Sequence, residues 1–394
     1  MKQNIGLAMI SRKNWSKRRA WKIRQVHLVG CGTLLVGMLA LLLHSNFKVL
    51  SDPNDNSHPK IIQATATVPK KINDSARPPY ATSDHESVKV PGFGSLPSAK
   101  SLLTKKPPFD DASIIKLSTA GDLIQSPNTV VTGYFRVPSK FKPGKYDGWM
   151  RNMLSLQDAM VIFTQPELVD QIKELRQHAV NRTVIIPMAL EDLPIGSLYP
   201  IKFWEDQLER DPEKKIHRSY QLFWIWLSKS WCVTQAIRMN IFKSDLFVWS
   251  DIGCFRSRDY NDKTMILHRE MVPKNEIIQM AHHKPNPPKE ELFNDKYKHK
   301  PNFYHSGSQM AGYKDTWIKF HEYFLDTIDR FLVQNMIIVE DQAVLQSICL
   351  SHPSICAYVP FDQVKKDNHY FGLRYVLHFG GKFQYWRHPK AVKS

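Results

Sequence analysis

The chain has 394 residues, which is more than a single folded core requires, and 42% of them are hydrophobic. Its formal net charge is +17, but the first 25 residues hold eight basic residues and no acid, which leaves +9 for everything that follows. Acidic and basic residues intermix in that remainder without a basic stripe interleaved with aromatic residues, so a nucleic-acid-binding protein is excluded.

The N-terminal region predicts a membrane anchor. Residues 1–25 form a basic tail, and residues 26–43 are eighteen consecutive residues without a formal charge. A helix over this stretch would span roughly 27 Å, and the positive charge before it would keep the N-terminus cytosolic. We expect a single-pass type II protein of the Golgi or ER membrane with a lumenal C-terminal part. The alternative is a cleaved signal peptide, although no small-x-small cleavage site follows the span.

Residues 44–127 predict a disordered stem, because ten prolines and many polar residues leave no sustained apolar period. Order is expected to begin near Thr129, so that residues 128–394 form the lumenal catalytic domain. The stretch 256–304 is predicted to be rich in loops.

Short apolar strands alternate with amphipathic helices in the folded part. The predicted strands are 129–137, 159–164, 183–188, 246–249 and 356–362. The predicted helices are 166–179 and 220–239, a long helix after a strand and turn within 306–332, and a helix within 339–353. This alternation predicts an α/β fold with a mostly parallel sheet flanked by helices.

Asp251 follows the apolar run from Leu246 to Trp249. It therefore lies at the carboxyl end of a strand, where open α/β sheets bind their ligands. A carboxylate there is a ligand for Mn²⁺ or Mg²⁺ bound to a diphosphate. His378 is predicted as a second metal ligand, and Lys382, four residues later, is predicted to close over a phosphate. The alternatives are an Asp251 that only shapes a turn and a His378 that only packs or caps.

Further candidates would bind a nucleotide-sugar. Thr132, Gly133 and Tyr134 lie at the end of the first predicted strand, where they are expected near the base or the ribose. Lys229 shares a helical line with apolar residues of the helix 220–239. Its ammonium group either has an anionic partner, such as a diphosphate, or extends to the rim of the helix.

Two adjacent acids are candidates for catalysis. Glu340 and Asp341 precede an apolar helix, and one of them is predicted to be the general base that takes a proton from an acceptor hydroxyl. Alternatively, Asp341 is simply the N-cap of that helix. His305 is either a third catalytic residue or a structural histidine. Cys349 and Cys356 are predicted to form a disulfide in an oxidising lumen.

Several segments, taken in order, resemble the HtrL/YibB family. They are VVTGYFRV, YDGWMRNMLSLQDAMVIFTQ, IWLSKSWCVTQAI, FVWSDIGCFR, SGSQMAGYKDTW and VEDQAVL, within roughly residues 129–390. That family is similar to glycosyltransferases of the GT-A type. The resemblance implies a GT-A-like fold with Asp251 where the metal-binding Asp-x-Asp of such enzymes lies, and with Asp341 on the acceptor side. The chain departs from the pattern because Trp249 replaces the first acid of that motif.

Together these observations predict a type II glycosyltransferase that moves a sugar from a nucleotide-sugar donor to a glycan or glycoprotein acceptor with help from a metal ion. One alternative is a non-catalytic lumenal module on the same GT-A-like scaffold, which would hold glycans with an aromatic surface around Trp204, Trp224 and Trp231. Another is a sulfotransferase, but the segment after the first strand lacks the Gly/Ser/Thr-rich phosphate loop that such an enzyme needs.

Overall fold

A computed structural model of the protein describes residues 86–118, 123–284, 305–364 and 370–388. All of these residues fall in the unit Asp74–Ser394. The predicted tail and anchor, and the predicted stem up to residue 85, lie outside the described residues. In the ranges that are described, no helix combines the length and the apolar character needed to cross a bilayer.

The strands lie at Ser87–Val90 (β1), Gly94–Pro97 (β2), Ile115–Lys116 (β3), Asn128–Tyr134 (β4), Met160–Thr164 (β5), Thr183–Pro187 (β6), Leu246–Ser250 (β7), Ile277–Ala281 (β8), His305–Tyr313 (β9) and Cys356–Pro360 (β10). The α-helices lie at Pro143–Leu154 (α1), Val169–Leu175 (α2), Pro194–Leu198 (α3), Ile201–Arg210 (α4), Lys214–His217 (α5), Gln221–Leu227 (α6), Lys229–Met239 (α7), Lys314–Val333 (α8), Asp341–Ser351 (α9) and Leu373–Phe379 (α10).

Eight of the strands form one sheet in the order β10-β8-β9-β7-β4-β5-β6-β3. The pairs β10/β8, β7/β4, β4/β5 and β5/β6 are parallel, whereas β9 runs antiparallel to both of its neighbours and β3 is antiparallel to β6. The predicted α/β fold with a mostly parallel, helix-flanked sheet is therefore confirmed.

Side chains of the central strands enter two cores, one on each face of the sheet. Val131 and Phe163 pack on the face that α7, α8 and α9 cover. Their neighbours Val130 and Ile162 pack on the opposite face, with residues of α1 and α10. Because both faces are buried, these strands read as continuous apolar runs, and this is why the sequence pattern locates them correctly.

The stem prediction is wrong for residues 86–118. The strands β1 and β2 form an antiparallel hairpin, and β3 extends the main sheet. A 3₁₀ helix, Ala99–Leu103, follows the hairpin, and Asp329 of α8 accepts a hydrogen bond of 2.6 Å from its first backbone N–H. Leu102 is 2% exposed in the core. Widely spaced apolar residues anchor this segment, which explains why no local period reveals it.

Two further elements differ from the sequence expectation. The predicted helix 220–239 is divided at Ser228 into α6 and α7, so that Lys229 begins the second helix. The stretch 256–304, predicted to be loop-rich, contains the buried strand β8. The predicted disulfide is confirmed, since Cys349 and Cys356 are bonded with their Cα atoms 5.6 Å apart.

Candidate active site

A cavity of about 610 Å³ lies where β4 and β7 end and β9 begins. Gly133 and Tyr134 line it from the end of β4, and Asp251 lines it directly after β7. Since β9 is antiparallel to β7, its first residues face the same edge, and Gly307 lines the cavity from there. The carboxyl ends of parallel strands are where α/β sheets bind ligands, and the cavity therefore has the expected position.

Lys229 joins two acids of this cavity. Its Nζ lies 3.0 Å from Oδ1 of Asp251 and 2.7 Å from Oδ2 of Asp341, and it donates to the carbonyl oxygen of Gly307 over 3.1 Å. Burial alone would lower the pKa of Lys229, but the two carboxylates outweigh burial and raise it. The lysine is therefore a buried, charged bridge, so the anionic partner expected for it is present within the chain.

Asp251 is held by donors on both oxygens. Trp249 donates its indole N–H to Oδ1 over 2.7 Å, and Nζ of Lys229 lies 3.2 Å from Oδ2. The Lys229 ammonium group contacts both oxygens of Asp251, and the residue two positions earlier, Trp249, is a hydrogen-bond donor instead of a second acid. The residues around Asp251 therefore do not fit the predicted Mn²⁺ or Mg²⁺ ion.

The Asp251 carboxylate nonetheless faces the cavity, since 32% of its side chain is exposed. Burial raises the pKa of Asp251 above its ordinary value, although Lys229 opposes that shift. A carboxylate has about four lone-pair positions. One contact with Trp249 and two with Lys229 leave one of these positions for a ligand. Asp251 is therefore suited to accept a proton.

Two local features of the sequence build this arrangement. The break at Ser228 places Lys229 at the first position of α7, beneath the cavity. Gly307 lets β9 approach the start of α9, because a Cβ atom there would lie 2.5 Å from Oδ2 of Asp341.

Glu340 is the N-cap residue of α9 but makes no side-chain capping bond, and Asp341 is the first helical residue. Asp341 is thus not the N-cap that the alternative interpretation proposed.

A second group of acids surrounds His217 at the side of the cavity. Its Nδ1 lies 2.6 Å from Oδ2 of Asp211, and its Nε2 lies 3.4 Å from Oε1 of Glu340 and 3.7 Å from Oε2 of Glu213. Burial would lower the pKa of His217, but Asp211 and the two glutamates raise it. Burial raises the pKa of Glu340 to about 7, with partial opposition from His217.

The mouth of the cavity is basic and aromatic. The guanidinium of Arg256 lies 4.4 Å from the ring centre of Trp149 and 4.6 Å from that of Phe371. It donates to the carbonyl oxygen of Gly253, and within the described ranges no carboxylate pairs with it. Burial lowers the pKa of Arg256. Further basic and aromatic residues line the same cavity, namely Arg136, Lys140, Phe141, Tyr146 and Trp226.

Some predicted site residues do not reach this cavity. Thr132 is buried, with its hydroxyl donating to Sδ of Met153, and it does not line the cavity. His378 has its Nδ1 2.6 Å from the carbonyl oxygen of Thr264, and neither His378 nor Lys382 is among the lining residues. The structure therefore does not bring His378 to Asp251 as a second metal ligand.

Four further residues named in the sequence analysis also lie outside the cavity lining. His305 is buried in β9 away from the cavity, and burial lowers its pKa to about 3, which fits the structural interpretation. Trp204, Trp224 and Trp231 are at most 3% exposed in the core. They cannot form the glycan-binding surface of the non-catalytic alternative.

Sequence reasoning missed Arg256, Glu213 and His217. A signal exists for the last two, because they are four positions apart, a spacing that a helical turn such as α5 and its N-cap residue brings to one face. Arg256 lies only five positions after Asp251 in the same strand-end loop. That no acid of the described ranges pairs with it depends on tertiary structure and leaves no trace in the sequence.

The fold and the cavity define an α/β protein with a candidate ligand site across the carboxyl ends of its central strands. Residues 127–359 match the family described as "Bacterial protein of unknown function (HtrL_YibB)". The chain belongs to this HtrL/YibB family, and the predicted resemblance is confirmed.

Two further comparisons concern individual proteins. The crystal structure of mouse xyloside xylosyltransferase 1 in its apo form is similar with a TM-score of 0.36 and 11% sequence identity. The similarity covers 59% of this chain and 85% of that chain, and at this TM-score it says nothing about ligand or reaction. A comparison with curated proteins finds no match.

Proposed function

We propose that this protein is a glycosyltransferase that moves a sugar from a nucleotide-sugar to a hydroxyl group of a glycan or glycoprotein. One observation carries the proposal: Asp251, an acid with a raised pKa, faces the same cavity as Arg256, an arginine with no ion-pair partner among the described residues. An acid that accepts a proton and a cation that holds an anionic leaving group are the two functions that such a transfer needs.

The donor would lie along the basic and aromatic mouth of the cavity. Arg256 would hold the diphosphate, because a guanidinium binds phosphate oxygens through paired hydrogen bonds. Lys140 would add positive charge from the cavity lining, whereas Arg136 shares its charge with Asp147, 3.1 Å away. Gly133 and Tyr134 remain candidates for contacts with the base or ribose, since they line the cavity beside Arg136. Thr132 and Lys382 have no part in this proposal.

The transfer step assigns a proton acceptor to the cavity floor. The acceptor hydroxyl oxygen bonds to the anomeric carbon of the donor while the bond from that carbon to the diphosphate oxygen breaks. The electron pair of the broken bond leaves with the nucleoside diphosphate, near Arg256. The hydroxyl proton moves to the carboxylate of Asp251. Such a positioned base contributes roughly 10²- to 10⁴-fold to the rate.

Lys229 and Asp341 would position this base. The ammonium holds both carboxylates at 3.0 and 2.7 Å, so that Asp251 keeps one orientation. Glu340, the other acid predicted for catalysis, lines the same cavity from the start of α9, and we assign it a different function below.

We also propose that the protein works in the secretory pathway as a type II membrane protein. The support is the uncharged stretch at residues 26–43 after a basic tail, together with the disulfide between Cys349 and Cys356. A lumenal domain of the Golgi or ER would meet nucleotide-sugars and glycoprotein acceptors.

The test uses the full chain in detergent with a panel of nucleotide-sugars, and it measures release of the nucleoside diphosphate with and without glycan acceptors. Asp251→Asn should reduce turnover by roughly 10²- to 10⁴-fold while nucleoside diphosphate still binds. Arg256→Gln should instead weaken nucleoside diphosphate binding roughly tenfold or more, because a hydrogen bond to a charged group contributes about 1.5 to 3 kcal/mol.

Asp245→Asn is the matched control, since Asp245 directly precedes the first residue of β7, at the end of the strand away from the cavity, and pairs with Arg269 at the surface. This variant should behave as the wild type. Turnover by Asp251→Asn equal to that of the wild type would remove the proposed base. Nucleotide binding without any turnover by the wild type would contradict the proposed transfer and leave the cavity as a nucleotide-binding site only.

A further inference from the structure

We propose that Glu213, His217 and Glu340 form a binding site for a divalent transition-metal cation at the side of the cavity. Each residue offers one ligand atom, and these atoms all lie within 4.8 Å of one another. The site is separate from Asp251, and it does not rest on the proposed sugar transfer, because the metal alone can test it.

The distances suit ligands of one ion. Ligand atoms about 2.1 Å from a common metal lie roughly 3.0 to 3.4 Å apart at octahedral or tetrahedral angles. The separation between Nε2 of His217 and Oε1 of Glu340 is 3.4 Å, and that between Nε2 and Oε2 of Glu213 is 3.7 Å. The first separation falls within that range, and the second exceeds it by about 0.3 Å.

Asp211 lies where a carboxylate that hydrogen-bonds a metal-binding histidine would lie. Its Oδ2 lies 2.6 Å from Nδ1 of His217, and its side chain is 1% exposed. Metal-binding histidines generally donate their second ring N–H to a carboxylate, which fixes the tautomer and turns the other nitrogen toward the metal. The ring of His217 is further fixed by edge-to-face contacts with Phe223 and Trp226, whose ring centres lie 6.1 and 5.0 Å away.

The charges around His217 also favour a cation. Three carboxylates surround one imidazole, with oxygen atoms 2.6, 3.4 and 3.7 Å from its two nitrogens. The acid next to Glu340 is Asp341, whose charge Lys229 already shares with Asp251. A divalent ion bound between these acids would lower the electrostatic cost of holding them close together.

The ligand set selects a class of metal. One imidazole nitrogen with two carboxylates suits Mn²⁺, Fe²⁺, Co²⁺ or Zn²⁺, whereas Mg²⁺ and Ca²⁺ prefer oxygen alone. All three ligands line the cavity, so the remaining coordination positions would face the ligand space. The competing interpretation is an ion-pair cluster in which a protonated His217 balances the charge of the acids without any metal.

The test titrates Mn²⁺ into the full chain in detergent after treatment with a chelator, and it counts free Mn²⁺ by electron paramagnetic resonance. We expect one bound ion per wild-type chain. His217→Gln and Glu340→Gln should each weaken binding more than tenfold, and Asp211→Asn should weaken it roughly 10- to 100-fold. Asp251→Asn is the matched control and should bind Mn²⁺ as the wild type does.

A measurement on the wild type alone covers the case in which a variant does not fold. Nitrogen hyperfine coupling to the bound Mn²⁺ should reveal the imidazole of His217 as a ligand. The absence of a bound ion or of this coupling, or unchanged binding by His217→Gln, would leave only the ion-pair cluster. Loss of binding in Asp251→Asn would move the cation to Asp251 and overturn the proposal.

Discussion

Gly307 determines how closely β9 approaches the acids of the cavity. A Cβ atom at this position would lie 2.5 Å from Oδ2 of Asp341 and 2.8 Å from Cδ1 of Leu345. Both neighbours belong to α9, which a buried disulfide links to β10. The helix therefore has little freedom to retreat, and any added atom must act on the Asp341 side chain.

We expect Gly307→Ala to displace Asp341 from Lys229 and to lower the free energy of unfolding by about 1 to 3 kcal/mol, as overpacking of buried positions usually does. Urea denaturation followed by circular dichroism measures this loss. Gly144→Ala is the matched control, because a Cβ at Gly144 would meet nothing within 4 Å apart from its chain neighbours and the backbone of its own helix. Equal loss in both variants would show that Asp341 is not held in place by β9.

His352 offers a test of pH dependence. Its ring stacks on that of Tyr323 with centres 3.6 Å apart, and burial, together with Arg330, lowers its pKa from 6.5 to about 4. Between these two pH values the unfolded chain binds a proton that the folded chain does not. The contribution of His352 to stability is therefore complete above pH 6.5, declines as the pH falls, and is lost by about pH 4.

The variant His352→Phe keeps an aromatic ring at this position but cannot bind the proton. Its free energy of unfolding should decline less steeply than that of the wild type as the pH falls from 6.5 to 4. The difference in slope should be at most about 1.4 kcal/mol per pH unit. Urea denaturation at several pH values measures both slopes, and above pH 7 the two curves should run parallel. Identical slopes throughout would mean that the ring titrates normally in the folded protein.

At the level of elements, the segment 86–118 is an integral part of the fold. Its hairpin and 3₁₀ helix pack against α8, where Asp329 binds the start of the 3₁₀ helix. Burial raises the pKa of Asp329, and hydrogen bonds from this segment oppose the shift. Farther on, Phe109 packs edge-to-face with Phe163 of β5 and with Trp231 of α7.

Leu102→Ala should therefore lower the free energy of unfolding by about 2 to 5 kcal/mol, because it leaves a cavity in the core. Leu267→Ala is the matched control, since Leu267 is 55% exposed and its loss should cost at most about 0.5 kcal/mol.

Removal of the whole segment tests the same packing. A chain that starts at residue 120 should melt well below one that starts at residue 86. Equal melting temperatures of these two chains would restore the stem interpretation for this segment.

Some elements of the fold can be located from the local sequence pattern, and others cannot. Buried parallel strands such as β5 and β7 are apolar throughout, so their positions and the polar residue that follows each are visible in the sequence. The hairpin β1–β2 is not visible, because its strand β1 packs against α8, more than 200 residues away. The break at Ser228 is equally hidden, since the apolar period continues from α6 into α7.

The site follows the same rule. Lys229 and Asp251 are recognisable as polar residues at positions where a helix face and a strand end should be apolar. Their ion pair is not recognisable, because it joins residues that only the sheet brings together, and it engages the carboxylate for which the sequence predicts a metal ion. The cluster around His217 joins α5 to the start of α9, a contact between residues more than 100 positions apart.

For the molecule as a whole, β9 and the disulfide connect two parts of the sheet. The strand β9 runs between β7, which ends at the cavity, and β8, which pairs with the outer strand β10. Cys349 near the end of α9 is bonded to Cys356 at the start of β10. The helix that begins with Asp341 is thus covalently linked to β10, the edge strand of the sheet. Because this link is a disulfide, the stability of the fold should depend on an oxidising compartment.

The double variant Cys349→Ser, Cys356→Ser should lower the free energy of unfolding by about 2 to 3 kcal/mol, the value that loop entropy gives for a short closed loop. A reducing agent should bring the wild type to the same stability, measured by urea denaturation, and it should leave the double variant unchanged. This second comparison controls for the buried thiols of Cys232 and Cys254, which carry no disulfide. If the wild type and the double variant unfold at the same urea concentration, the bond does not stabilise the domain, and the structural support for a lumenal protein is lost.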